Sequence, residues 1–314
     1  MDHHAPPAGA DGSGSSASSS STSPFPLSLT REDTAWIGRR AVTALGALGS
    51  TATLAADGAS VRRDDGATHG LDSVFRRCAS TPRDQWGPAI DLHFGQLVRA
   101  RSDVPPSRLA PEEFESRVRT RLLTFDAVDS APIDLGYARR LADDLAMVLC
   151  IDNPETVAYL PSDEVSERGV DRLFVVGQRN TDAEPVEFVS SPTDGPLTWV
   201  AGASVFIASK LGNMPAILHA VFGVSEAPDG VVVGVPDRNT ICMHRVRDET
   251  AVLAISDLAT ATAKRHETAV GKLSPHIYYW REGVVTRIST ADPDTRQLSI
   301  TPGPDLEAAL QRFL

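Results

Sequence analysis

Residues 274–283, SPHIYYWREG, place a histidine, two tyrosines, a tryptophan and an arginine close together. Side chains alternate between the two faces of a strand, so His276, Tyr278 and Trp280 would share one face and Tyr279 and Arg281 the other. Trp, Tyr and Arg dominate the energetics of binding surfaces. The pattern therefore predicts a strand that is either covered on both faces or lines a groove with one of them.

A second polar stretch, VPDRNTI at 235–241, predicts a tight turn that holds Arg238 between two strands. A guanidinium on a rigid hairpin is suited to clamp a carboxylate or phosphate, although a solvated turn is the simpler alternative. In the following strand, His244 faces away from Ile241 and Met243. The candidate binding residues are therefore Arg238, His244, His276, Tyr278, Trp280 and Arg281.

Two functions of different classes fit these residues. In a non-catalytic binding module, with a regulatory or adaptor role, the Arg238 hairpin and the 276–280 strand would form a groove for a peptide, a protein segment or a small anionic ligand. In a hydrolase or transferase, His276 or His244 would act as general base and Arg238 would stabilise negative charge.

Geometry separates these functions from a third, purely structural role. Exposure of Tyr278 and Trp280 would favour binding. Convergence of His276 and Arg238 with a serine or carboxylate in a concave pocket would favour catalysis. Full burial of all three aromatic side chains would rule out both functions for this strand.

Composition and charge exclude several classes of protein. The net charge is −11, and neither half of the chain carries the basic stripe that nucleic-acid binding requires. No apolar run is long enough to span a membrane, and no basic region followed by an apolar one marks a signal peptide, so we expect a cytoplasmic protein. Cys78, Cys150 and Cys242 are isolated and predict buried reduced thiols. No motif indicates a metal site or a cofactor.

The order of predicted elements favours an α+β fold in which helices pack on mixed or antiparallel hairpins. Residues 1–27 are rich in Ser, Gly and Pro and predict a disordered tail. Residues 28–130 predict a mainly helical subdomain with a hairpin at Asp57-Gly58, and residues 131–314 an α+β domain.

Local signals place several element ends. Thr30 is expected to cap a helix, with Asp33 as its third residue. A helix is expected over 111–123, with a strand near Leu122–Phe125 as the alternative for its end. Another helix is expected from a cap at Ser162, interrupted at Gly169. A hairpin turn is expected near Glu282-Gly283.

Four stretches, TPRDQWGPAIDLHF, GASVFIASKLGNMPAIL, GVVVGVPDRNTICMHRV and SPHIYYWREG, resemble actinobacterial proteins related to the uncharacterised YtpQ-like family. The resemblance covers most of residues 50–285 in scattered short patterns. It implies a cytosolic bacterial α+β protein and supplies no activity. The matching positions are Arg83, Trp86, Ile90, His93, Phe94, Val235, Pro236, Arg238, Ser274, Pro275, His276, Tyr278 and Trp280.

Overall fold

The computed structural model of this chain covers most of the sequence beyond residue 28. The predicted tail 1–27, and Asp57 in the first predicted turn, lie outside the described residues. The structure describes residues 29–55, 58–64, 68–79, 81–99, 106–153, 156–190, 196–269, 271–291 and 298–313.

Helices and strands alternate along the chain without a repeating unit. The helices are α1 (Arg31–Ala47), α2 (Asp72–Ala79), α3 (Trp86–Arg99), α4 (Pro111–Arg117), α5 (Phe125–Asp129), α6 (Ser162–Arg168), α7 (Val170–Asp182), α8 (Met214–Phe222), α9 (Ala251–Thr268) and α10 (Pro304–Gln311). Short 3-10 helices lie at Arg83–Gln85, Pro106–Arg108 and Ala208–Asn213.

The strands form small sheets in which every described pair is antiparallel. The predicted α+β class is confirmed. The strands are β1 (Ala52–Leu54), β2 (Ser60–Arg63), β3 (Thr68–Gly70), β4 (Val118–Thr124), β5 (Arg139–Arg140), β6 (Leu145–Asp152), β7 (Val157–Tyr159), β8 (Phe188–Val189), β9 (Thr198–Ala201), β10 (Val231–Asp237), β11 (Thr240–Arg245), β12 (Ile277–Arg281), β13 (Val284–Arg287), β14 (Ser289–Ala291) and β15 (Leu298–Ile300).

A first hydrophobic cluster is built by α1, α2 and α3 over the β1–β2 hairpin. At the start of α1 the predicted cap is confirmed, because Thr30 and Asp33 exchange the reciprocal hydrogen bonds of a capping box. Ile37, Ala41 and Leu45 are buried along one side of this helix.

The segment after α4 differs from the prediction of one helix over 111–123. The helix ends at Arg117, and β4 begins at Val118 and pairs with β6 along its whole length. In VRTRLLT, β-branched and apolar residues favour a strand, and pairing with the apolar MVLC run of β6 overrides helical propensity.

The predicted cap at Ser162 is wrong, since Pro161 is the cap residue that precedes α6. The predicted interruption at Gly169 is confirmed, because α6 ends at Arg168 and α7 begins at Val170.

The outer edge of β4 is closed by hydroxyl side chains. Thr181 Oγ1 of α7 accepts a hydrogen bond from the Thr120 amide at 3.0 Å. Ser209 Oγ accepts one from the Leu122 amide at 2.9 Å. A Cβ on Gly177 would lie 3.2 Å from the Thr120 nitrogen, so α7 approaches this edge closely only because position 177 is glycine. The unpaired backbone groups of an edge strand are thereby satisfied, and α7 is held beside the sheet.

The six-stranded sheet has the order β13-β12-β10-β11-β9-β8. The predicted hairpin turn at Glu282-Gly283 is confirmed, and both residues have positive φ, 48° and 85°. Two positive φ angles are required by the tight turn that best matches strand twist. One face of this sheet packs in the largest hydrophobic cluster, and the other packs under α9 and α10.

The residues of the predicted N-terminal subdomain, 28–130, contribute to two different hydrophobic clusters. Residues 37–94 supply the buried part of the first cluster, whereas Leu109, Phe114 and Val118 already lie in the largest one. The division of the chain into 28–130 and 131–314 stays a prediction.

The three cysteines are buried and free, as the sequence predicts. Burial raises the pKa of Cys78 to about 11 and that of Cys150 to about 12. These thiols are therefore protonated at neutral pH and contribute as small apolar side chains.

None of the helices among the described residues is both long and apolar enough to cross a membrane.

His93 makes the stability of the first cluster sensitive to acid. Burial, with the positive charges of Arg77 and His69, lowers the pKa of His93 to about 4, and its side chain is 3% exposed. The unfolded chain binds this proton near pH 6.5, so unfolding takes up a proton and stability falls as the pH falls through that value. Between pH 7 and pH 5 we expect a loss of about 2 kcal/mol in the free energy of unfolding from this residue.

Urea unfolding of wild type and His93→Leu at the two pH values measures this contribution. The variant should lose most of the pH dependence assigned to His93, while a variant of the exposed His219 (His219→Leu) should keep it. An unchanged pH dependence in His93→Leu would contradict the assignment.

Candidate functional site

The aromatic strand that the sequence singles out is covered on both faces. Tyr278, Tyr279 and Trp280 are 0%, 5% and 7% exposed. Tyr278 and Trp280 pack in the largest hydrophobic cluster, and Tyr279 packs on the opposite face with α9 and α10. Of the two alternatives for this strand, the structure shows the covered one, so no open aromatic face is present at β12.

A directed chain of hydrogen bonds starts from the same strand. The Tyr278 hydroxyl donates to Asp144 Oδ2 at 2.9 Å and lies 2.6 Å from Ser274 Oγ. A phenol has a single hydrogen, so Ser274 must donate to the Tyr278 oxygen. The His276 amide donates to Ser274 Oγ at 3.2 Å, and Arg287 Nη1 lies 3.7 Å from Asp144 Oδ2. The chain ties β12 to the β5–β6 connection and so joins the two larger sheets.

Burial keeps both titratable rings of this cluster neutral at pH 7. Burial raises the pKa of Tyr278 far above its ordinary value, and the negative charge of Asp144 adds to the shift. Burial also lowers the pKa of His276; Asp144 opposes this shift and Arg287 adds to it. His276 Nδ1 and Asp144 Oδ1 are buried and have no hydrogen-bond partner among the described residues.

Arg238 is occupied by an internal ion pair with Asp72 at the start of α2. Burial lowers the pKa of Arg238 to about 10, which leaves it charged at neutral pH. The backbone amide of Arg238 donates to Gly271, and its carbonyl accepts from Ala208. The turn is therefore neither solvated nor open, and it fastens the N-terminal helices to the six-stranded sheet.

The remaining candidate residues lie apart from this cluster. His244 is 6% exposed, and its Nδ1 lies 2.7 Å from the Pro196 carbonyl. Arg281 is at the sheet margin, 3.8 Å from Glu282 and 4.0 Å from Asp305. The structure thus brings His276 and Tyr278 together with Ser274, Asp144 and Arg287, and separates them from Arg238, His244 and Arg281.

A cavity of about 590 Å³ opens beside α7 and the short strand β5. It has an apolar wall, a polar end and a cationic rim, and we call it the α7 cavity. Its lining residues are Arg139, Arg140, Leu141, Met147, Phe174, Val175, Gln178, Arg179, Asp182, Gly212 and Asn213.

Positive charge dominates the rim of the α7 cavity. The Arg139 guanidinium lies 3.9 Å from the Phe174 ring centroid and pairs with the exposed Asp171. Arg140 stacks on Phe125 at 4.5 Å. Arg179 is exposed and has no ion pair or side-chain hydrogen bond among the described residues. These cations line an open cavity in a chain whose net charge is −11.

The polar end of the cavity is fixed by hydrogen bonds. Asp182 Oδ1 accepts from Gln178 Nε2 at 2.8 Å, and Oδ2 accepts from Asn213 Nδ2 at 2.6 Å. Because both carboxylate oxygens have donors, Asp182 is held in place and its charge is partly compensated. An exposed apolar side chain, Val175 at 71%, lies at the mouth.

Sequence reasoning missed this cavity because its residues come from separate elements. Arg139 and Arg140 lie in the segment YARRLADDL, which shows neither a clear helical nor a clear strand period, and Arg179 lies in the last turn of α7. The adjacent pair of arginines was the available signal. No property of the sequence near residue 140 indicates that residue 179 is a neighbour.

No family model, no curated protein and no solved structure matches this chain. The resemblance to YtpQ-like proteins therefore stays a prediction, and the function must be argued from geometry.

The Tyr278–Asp144 hydrogen bond should contribute measurably to stability. Tyr278→Phe leaves Asp144 Oδ2 without the phenol donor, so we expect a loss of about 1–3 kcal/mol in the free energy of unfolding. A double-mutant cycle with Asp144→Asn should give a coupling energy of about 1 kcal/mol or more.

Tyr279→Phe provides the matched control for this cycle. Its hydroxyl donates to the Asp229 carbonyl at 3.0 Å and not to Asp144, so its effect should add to that of Asp144→Asn. Additive effects of Tyr278→Phe and Asp144→Asn would show that the two side chains do not interact.

Proposed function

We propose that this protein is a non-catalytic binding module and that a small anionic ligand occupies the α7 cavity. The observation that carries the proposal is the set of arginines on the cavity rim, with Arg179 unpaired among the described residues. Such a module suits a regulatory or adaptor role.

The chemistry of the lining defines the class of ligand. A carboxylate or phosphate group would lie between Arg179 and Arg139, because guanidinium groups donate to two oxygens at once. Phe174, Met147 and Leu141 offer an apolar wall for the body of the same molecule. A volume of about 590 Å³ lies within the range of small-molecule sites. The favoured ligand is therefore an amphipathic anion, with one acidic group and an apolar part.

A reducing, cytoplasmic location is part of this proposal. It is supported by the three free and buried thiols, since extracellular proteins tend to use cysteine in disulfides.

The first experiment titrates the native protein with 8-anilinonaphthalene-1-sulfonate, a fluorescent amphipathic anion, and then competes it with aromatic and aliphatic carboxylates. We expect saturable binding of one probe molecule that weakens with added salt, since the contacts are ionic and partly exposed. Arg179→Gln and Arg139→Gln should each raise Kd about fivefold to tenfold, which is the effect of about 1–1.4 kcal/mol at a partly exposed ion pair.

Arg172→Gln is the control variant. Arg172 lies on the same helix and carries the same charge, but it pairs with Glu115 and does not line the cavity. Equal Kd values in Arg179→Gln, Arg172→Gln and wild type would contradict binding in the α7 cavity. Competition by an acidic peptide and not by small carboxylates would indicate a peptide ligand.

A hydrolase or transferase is the second candidate. One observation favours it: His276 Nδ1 has no partner among the described residues and lies near Ser274 and Asp144. The burial of the three aromatic side chains and the separation of His276 from Arg238 count against it. Since Arg238 is paired with Asp72, Arg287 would have to serve as the anion clamp. Ser274 is only 1% exposed, which disfavours a substrate at its hydroxyl.

A screen with p-nitrophenyl esters and phosphates tests the catalytic candidate. Turnover that is lost in His276→Gln and kept in His219→Gln would support it. Turnover that is equal in both variants would rule out His276 as the general base.

A further inference from the structure

Opposite charges lie close together at the polar end of the α7 cavity and do not form an ion pair. Arg179 and Asp182 both line the cavity and are three residues apart on α7. At this spacing the Cβ atoms of a helix are about 5–6 Å apart, and opposite charges commonly pair. Among the described residues, however, neither side chain takes part in an ion pair. The cavity therefore presents a cation and an anion side by side.

Amide donors hold the Asp182 carboxylate in place. Gln178 Nε2 donates to Oδ1 at 2.8 Å, and Asn213 Nδ2 donates to Oδ2 at 2.6 Å. The Gln178 amide is oriented in turn by Thr120, whose hydroxyl donates to Gln178 Oε1 at 2.8 Å. Both donors to the carboxylate are neutral, and each carboxylate oxygen has a second lone pair. Asp182 can therefore accept further hydrogen bonds from a ligand in the cavity.

One lysine, Lys210, lies close to Asp182 but bonds to its backbone. Lys210 is 6% exposed, and its Nζ donates to the Asp182 carbonyl at 2.6 Å. Burial lowers the pKa of Lys210, and the charges of Asp182 and Glu184 oppose that shift. Lys210 does not line the cavity. The side of the carboxylate that faces the cavity is thus left for a cationic group of the ligand.

We propose that the ligand of the α7 cavity is an amino acid with an apolar side chain, its carboxylate at Arg179 and its ammonium group at Asp182. This inference rests on the proposed function, because the arginines must first bind the acidic group. In an amino acid one carbon atom separates the two charged groups, so both reach side chains that are neighbours on one helix. Phe174 and Met147 of the apolar wall would contact the ligand's side chain.

The hydrogen-bonding capacity of the two charged groups matches the cavity. An ammonium group has three N–H donors and no acceptor, so it suits the free lone pairs of Asp182 and not a guanidinium. A carboxylate has only acceptors, so it suits the N–H groups of Arg179. Repulsion between like charges therefore fixes the orientation of the ligand, since a reversed molecule would place its ammonium at the arginine and its carboxylate at Asp182.

The test compares phenylalanine with phenyllactate as competitors of 8-anilinonaphthalene-1-sulfonate, because phenyllactate has a hydroxyl in place of the ammonium group. Wild type should bind phenylalanine about fivefold to tenfold more tightly, as expected for one partly exposed ion pair. Equal Kd values, or tighter binding of phenyllactate, would overturn the inference and leave the anion site standing. Binding of the probe but of neither compound would overturn the amino-acid assignment alone, and binding of no anion would overturn both proposals.

Asp182→Asn removes the charge that would recognise the ammonium group and keeps the size of the side chain. The preference for phenylalanine over phenyllactate should disappear in this variant, and a preference that persists would overturn the assignment to Asp182. Asp171→Asn is the matched control, since Asp171 lies on the same helix, is 98% exposed and does not line the cavity. It should keep the preference, and its loss there would attribute the effect to the overall charge of α7 and contradict the inference.

Phenethylamine, which lacks the carboxylate, keeps the test decisive if Asp182→Asn fails to fold. Wild type should bind it more weakly than phenylalanine, and Arg179→Gln should weaken the binding of phenylalanine but not that of phenethylamine. Phenethylamine that bound wild type as tightly as phenylalanine would show that the arginines contribute nothing, and it would overturn both proposals. A phenylalanine Kd that is unchanged in Arg179→Gln would contradict the placement of its carboxylate.

Discussion

The polar turn between β10 and β11 connects the parts of this protein. Asp237 accepts from an arginine of α9, and Arg238 pairs with the first residue of α2. The side-chain NH2 group of Asn239 shares its two hydrogens among three carbonyls of the loop after β9. Asp237 and Asn239 are 2% and 7% exposed, so these bonds are made away from water, where each unmade partner would be costly. Because one turn makes all these contacts, the positions of α2, α9 and the loop after β9 depend on its conformation.

That connection explains why the most chemically suggestive residues of the sequence are internal. The guanidinium of Arg238 forms an ion pair with Asp72, which connects α2 to the sheet. Strand β12 pairs with β10 and has aromatic side chains on both faces. The polar atoms of the aromatic strand then need partners inside the protein, and Tyr278 finds one in Asp144. Residue types that dominate binding surfaces also pack well in cores, so their presence in a strand does not distinguish the two roles.

Positive charge is used in two ways in an acidic chain. At the α7 cavity, arginines lie at the rim, where water and a ligand both have access. Beneath α2, Arg121 is enclosed within the fold, and Arg238 pairs with Asp72. The position of α7 determines where the α7 cavity forms. It lies along the edge of β4 because hydroxyl groups replace a missing strand there, and the cavity forms where its outer face meets β5.

Short-range patterns determined much of the secondary structure from the sequence alone. The Thr30 and Asp33 capping box, the interruption at Gly169 and the tight turn at Glu282-Gly283 each depend on residues a few positions apart. The helix predicted over 111–123 ends at Arg117 instead, because residues 118–124 pair with β6 along their whole length. Only the tertiary structure decided which side chains are covered and which arginines meet. Burial and charge compensation depend on neighbours that are distant in sequence, such as the Asp144 and Tyr278 pair, and a single sequence carries no signal of that contact.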